Sequence, residues 1–145
     1  MEHLRALLES ATTIELIDWP SQEVPAALLQ AGYEVVGHEP DGYKTYAIVA
    51  DESDGRIFPL ADGGYLTSAP RAALPDRVDI VNTYRPAEEQ DDIARGAVAI
   101  GAKALWIQPG ETVAAEARAI AEAGGLLYVE GIDIAAAVTT LGIRK

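Results

Sequence analysis

Apolar residues fall in short clusters whose spacing alternates between buried strands and amphipathic helices. Leu4, Leu7 and Leu8 recur at helical spacing and predict a short helix over residues 3–10. Ile14, Leu16 and Ile17 make a brief apolar run bounded by Pro20, which predicts a strand at 12–18 covered on both faces. A helix is expected from Ser21, a residue suited to cap it, with Pro25 still in the first turn and Gly32 at the close. A second strand follows at 33–38 and stops at "EPDG". Residues 43–78 break the alternation: "YKTYAIVA" reads as a strand, "DESDG" as a turn, "RIFPL" as a returning strand and "ADGGYLTSAP" as loop. Beyond it, strands at 78–83, 104–107 and 126–129 alternate with helices at 86–100, 111–123 and 133–141.

Strands separated by helices of this length pair in parallel, and their continuous apolar runs require cover on both faces. The expected fold is therefore a Rossmann-like, doubly wound α/β domain spanning residues 1–145. Its sheet is five-stranded and mainly parallel, with helices on both faces and an inserted hairpin and loop excursion at 43–78. No internal repeat or linker suggests a second domain.

Charge and composition narrow the functions open to such a domain. Eleven basic and 23 acidic side chains give a net charge of −12, which opposes attraction to nucleic acid and anionic lipid. There is no cysteine, so thiol chemistry and disulfides are excluded, and a reducing cytoplasmic setting is expected. Glu2, Arg5 and Glu9 interrupt the first ten residues, unlike a secretory signal, and no stretch approaches the roughly 20 apolar residues of a membrane span.

No nucleophile elbow, Walker loop or H-E-x-x-H occurs, and His3 and His38 alone suggest no metal set. "DESDG" has the composition of a calcium loop but places its glycine one position early. The expectation leans away from an enzyme, with no catalytic residue and no metal.

Doubly wound sheets bind ligands beyond the carboxyl ends of their strands, which directs attention to the turns there. The first turn, "DWPS", has no glycine to admit a phosphate to the helix start, and Asp18 adds a negative charge. Arg85, just past the third parallel strand, offers a guanidinium for phosphate or carboxylate; it is equally placed to pair with Glu88 or Glu89 one turn on. Gln108 is placed to hydrogen-bond a ligand amide or ribose, or to cap its loop. His38 suits stacking on an adenine or a structural role. Trp19 covers either a ligand or the strand ends, whereas Trp106 lies within a strand and reads as core.

"SQEVPAALLQAGYEVV", "VDIVNTYRPAEE", "AIGAKALWIQPG" and "AEAGGLLYVEG" together resemble the CoA-binding domain family. These are small Rossmann-like bacterial proteins similar to the CoA-binding domain of the succinyl-CoA synthetase α subunit. The resemblance implies a non-catalytic, nucleotide-binding role with CoA or an acyl-CoA as the small-molecule ligand. The candidate ligand-binding residues at the carboxyl edge are Trp19, Pro20, Ser21, His38, Pro40, Tyr84, Arg85, Pro86, Gln108 and Gly110.

The chain departs from the family pattern in three places. "DWPS" replaces a Gly-x-Ser loop, so the phosphate loop is shortened; Glu39-Pro40 replaces Asn-Pro; and "YVEGIDI" lacks a cysteine common after the last strand. The alternative is a diverged member that has lost its ligand and uses residues 43–78 as a protein-interaction or homodimer surface, with tyrosines and Phe58 as anchors.

Overall fold

A computed structural model of the protein describes residues 2–38, 45–50, 57–59, 65–70 and 76–145; for residues 38, 45–50, 57–59 and 65–70 it describes the backbone alone. The elements run α1 (Glu2–Ser10), β1 (Thr13–Ile17), α2 (Glu23–Ala31), β2 (Glu34–His38), β3 (Thr45–Ala50), β4 (Ile57–Pro59), β5 (Tyr65–Pro70), β6 (Ile80–Thr83), α3 (Ala87–Ala99), β7 (Ala104–Ile107), α4 (Ala117–Ala123), β8 (Leu127–Glu130) and α5 (Ile134–Leu141).

Five strands, β2-β1-β6-β7-β8, are parallel, in the doubly wound arrangement expected from the alternation of apolar runs and helices. Side chains of successive strand residues face opposite sides, so each apolar run feeds two cores. On one face Ile14, Leu16, Ile80 and Trp106 pack with Leu4 and Leu8 of α1, Leu28 of α2 and Ile134 of α5. On the other, Val81, Leu105 and Ile107 pack with Ala94 and Ala97 of α3 and Ala117 and Ala121 of α4. Trp106 is fully buried, and its indole N–H donates to the Ile132 carbonyl at 2.7 Å, which satisfies the one polar atom of a core residue.

The excursion extends the same sheet. β3 pairs antiparallel with β2, β5 with β3 and β4 with β5, giving a sheet of eight strands among the described residues. Residues 65–70, read from sequence as loop, are strand β5, and β3 takes β5 rather than the "RIFPL" segment as its neighbour. The correction has a clear reason. Tyr65, Leu66 and Thr67 favour extended backbone, and the free edge of β3 supplies the hydrogen-bonding partner that a local reading omits. The "DESDG" segment, with its calcium-like composition, lies outside the described residues.

Two helix starts also differ from expectation. α2 begins at Glu23 after Gln22, with no side-chain cap, and Ser21 contributes only its carbonyl, which accepts from the Val24 N–H at 3.2 Å. α4 begins at Ala117 rather than near 111. The fully buried Gln90 accounts for that second difference. Its amide donates to the Thr112 carbonyl at 2.8 Å and its oxygen accepts from the Ala114 N–H at 2.8 Å, so backbone groups that a helix would use are held in a loop.

Candidate functional site at the carboxyl edge

The chain leaves β1 for α2 on one face and leaves β6 for α3 on the other, so the loops after these neighbouring strands diverge. Such divergence, at the switch point of a doubly wound sheet, is where a crevice for ligand characteristically lies. Tyr84 N–H donates to the Ile17 carbonyl at 3.0 Å, tying the two strand ends together at its floor.

One wall is the turn 18–22. Asp18 has φ 61, a left-handed conformation that glycine adopts freely and that aspartate tolerates better than most residues. Its Oδ1 accepts from the Trp19 backbone N–H at 2.9 Å. The Trp19 indole N–H donates to Gln22 Oε1 at 3.1 Å, and the ring packs half-buried against the core under α2. Pro20 and Ser21 are exposed beside it.

The opposite wall is the loop 84–86, with Pro86 immediately before the first residue of α3. Arg85 is half-buried there and fully engaged. Its Nε and Nη2 donate to the two oxygens of Glu89 at 3.2 and 2.6 Å, and its Nη1 donates to Asp18 Oδ2 at 3.1 Å across the crevice. Glu89 first, then Asp18, holds the guanidinium above its ordinary range, against the opposing effect of burial. Of the two carboxylates one turn beyond Arg85, Glu89 is the one that takes the fork.

Gln108 follows β7 and is buried. Its oxygen accepts from Asn82 Nδ2 at 3.1 Å and from the Ile134 N–H at 2.8 Å, while its amide donates to Asp133 Oδ1 at 2.9 Å. It therefore fixes the start of α5 to the ends of β6 and β7. Gly110 has φ 115, and a Cβ there would lie 2.9 Å from the Tyr84 ring, so the loops after β6 and β7 approach each other closely at this point.

The structure thus brings Trp19, Tyr84, Arg85, Pro86, Gln108 and Gly110 to loops on one edge. The backbone of His38 ends β2 on that same edge, paired in register with Ile17. Pro40 lies outside the described residues.

Three groups escaped the sequence reading: the Asp18 bridge to Arg85, the Gln90 staple and Asn82. Asn82 is fully buried and, among the described residues, its Oδ1 has no hydrogen-bond partner; the same holds for Thr83 Oγ1. The one local signal for the bridge is an aspartate where the turn requires positive φ. Among the described residues no cluster of three metal-ligating side chains occurs, and no helix is long and apolar enough to cross a membrane.

The sheet order defines a Rossmann-like α/β domain, a fold in which ligands are received at the switch point. The chain belongs to the CoA binding domain family, whose model matches residues 17–134. It is similar in fold to Prb, a protein redesigned for binding, with 23% identity and a TM-score of 0.71 over 99% of this chain and 93% of that one. A hypothetical protein from Pyrococcus horikoshii OT3 gives 23% identity and a TM-score of 0.67, covering 97% of this chain and 90% of that one. A protein from Thermus thermophilus gives 22% and 0.68, covering 97% of each chain.

Proposed function

We propose that the protein is a non-catalytic binder of CoA or an acyl-CoA, received across the carboxyl edge between the turn 18–22 and the loop 84–86. The observation that carries this reading is the position of Arg85. Its guanidinium lies at the switch point of the sheet, oriented by Glu89, with Nη1 directed across the crevice. Glu89 takes the fork, so the donor on the crevice side is Nη1, and an N–H there suits a phosphate oxygen that displaces the Asp18 carboxylate. Membership of the CoA binding domain family supports this choice of ligand class. Gln108 acts in this reading by holding the crevice floor rather than by touching ligand, because its amide is spent on protein partners.

Isothermal titration tests the proposal. CoA and acetyl-CoA give micromolar heats with the wild-type chain and none with Arg85→Ala, while NAD gives none with either. Equal heats from wild type and Arg85→Ala overturn the role of Arg85; flat traces from wild type overturn the ligand.

The rival role as an interaction module draws on one observation. β3, β5 and β4 lengthen the sheet beyond β2 without entering the switch point. Flat traces together with a stable dimer in light scattering would favour it.

A further inference from the structure

Resting on that reading of the crevice, we propose that Asp18 is the resident occupant of its anion seat: its carboxylate holds, on Arg85, the place that a ligand's phosphate takes. Asp18 is then the residue that sets the affinity of the crevice for phosphorylated ligands.

Three observations lead to this. The first is the donor set. Asp18 Oδ1 accepts from a backbone N–H, that of Trp19 at 2.9 Å, and Oδ2 accepts from a guanidinium N–H, that of Arg85 at 3.1 Å. A backbone amide ahead of a helix and an arginine are the donors from which anion sites on this kind of fold are built.

The second is the backbone. Asp18 is the one described residue other than glycine with positive φ, at 61°. Glycine adopts that conformation without strain, whereas a residue with a side chain is strained there. The position thus carries a carboxylate at a conformational cost, and both oxygens of that carboxylate are used.

The third is the division of labour on Arg85. Glu89, in the first turn of α3, takes Nε and Nη2 and aims the group. The remaining donor, Nη1, is the one that reaches across the crevice, and Asp18 fills it. Two carboxylates on one guanidinium leave the three side chains with a net negative charge, on a chain already at −12. A free diphosphate entering the crevice must therefore displace Asp18 before it can use Arg85.

The test uses inorganic diphosphate and CoA as separate probes on the full chain, titrated into wild type, Asp18→Gly, Asp18→Asn and the double variant Asp18→Gly/Arg85→Ala. Glycine relieves the backbone. Asparagine keeps a residue that tolerates positive φ and removes only the charge, so a folding defect in one variant leaves the other to decide.

The expected result is at least a tenfold gain in diphosphate affinity for both single variants over wild type, abolished in the double variant. No gain in either single variant overturns the proposal. A gain that persists without Arg85 overturns it too. If diphosphate gains while CoA binds no tighter than diphosphate, the seat stands and the CoA reading fails. If CoA binds wild type and both single variants equally well and diphosphate gains in neither, the CoA reading stands and the role of Asp18 fails.

Discussion

Buried amides organise the candidate site, and their worth follows from how many partners each one satisfies. Gln108 uses its oxygen twice and its nitrogen once, so replacing it leaves Asn82, the Ile134 N–H and the Asp133 carboxylate without that partner. Leaving buried polar groups unsatisfied costs ~1–3 kcal/mol each, more than the loss of a single good hydrogen bond. Gln108→Leu is therefore expected to destabilise the fold by about 3 kcal/mol, measured as a fall in the urea midpoint with the slope unchanged. An unchanged midpoint would show that water replaces the amide. From sequence, Gln108 is visible as a polar residue closing an apolar run at the ligand edge. Its partners are not visible, because Asn82 and Asp133 stand 26 and 25 residues away. Trp106 was readable as core because its strand neighbours are apolar; the Asp18 bridge spans 67 residues and has no local signature beyond the turn it sits in.

Turns and helix starts carry the specific geometry of the edge. Gly110 combines φ 115 with an approach that would place a Cβ 2.9 Å from Tyr84 Cε1, so Gly110→Ala meets both backbone strain and a displaced ring. Strain of this kind costs ~1–3 kcal/mol, and the variant is expected to melt lower and to bind CoA more weakly, since Tyr84 belongs to the same loop as Arg85. A lowered melting point with unaltered titration would place Tyr84 outside the ligand path. At the start of α5 the Asp133 side chain accepts from the Ala135 N–H at 3.2 Å while also holding Gln108. Asp133→Ala should cost ~1 kcal/mol for the cap and a further increment for Gln108, read from the same urea titration. The parallel strands were legible because both faces of each are covered and their runs are continuously apolar. β5 was not, because glycines precede it and its pairing partner, β3, is remote in sequence. The late start of α4 was hidden for a similar reason: the Gln90 side chain belongs to the preceding helix.

Across the whole molecule, two titratable groups that contribute to stability lie at the edge of the sheet opposite the candidate site, which makes their contribution separable from it by pH. At the amino edge the buried Asp79 carboxylate accepts from the backbone N–H groups of Thr12 and Thr13 at 2.8 and 3.1 Å, binding the start of β1 to β6. Burial pushes this carboxyl up, but the two backbone bonds, Lys103 and Arg77 together outweigh it and hold it below its ordinary range. An unfolded aspartate titrates at ~3.9, so the stabilisation from Asp79 is present in full above that value and is lost as pH falls through the lower folded value. At the alkaline end, the Tyr33 hydroxyl donates to the Leu8 carbonyl, and burial, then Glu9, pushes it up to about 12. A raised value keeps its contribution whole below the unfolded ~10 and loses it as pH rises through about 12. Thermal melts should therefore show a plateau bounded by these two groups. Asp79→Asn is expected to lower the plateau by about 2 kcal/mol at pH 7, with the gap to wild type closing below about pH 4 as the wild-type carboxylate is itself protonated. Tyr33→Phe should leave the acid limb intact and flatten the alkaline one. Neither variant touches the crevice, so CoA and diphosphate titrations at pH 7 should match wild type. A binding change in Asp79→Asn would mean that the two edges of the sheet are coupled through β1 and β6, and that the crevice geometry depends on the register these strands keep.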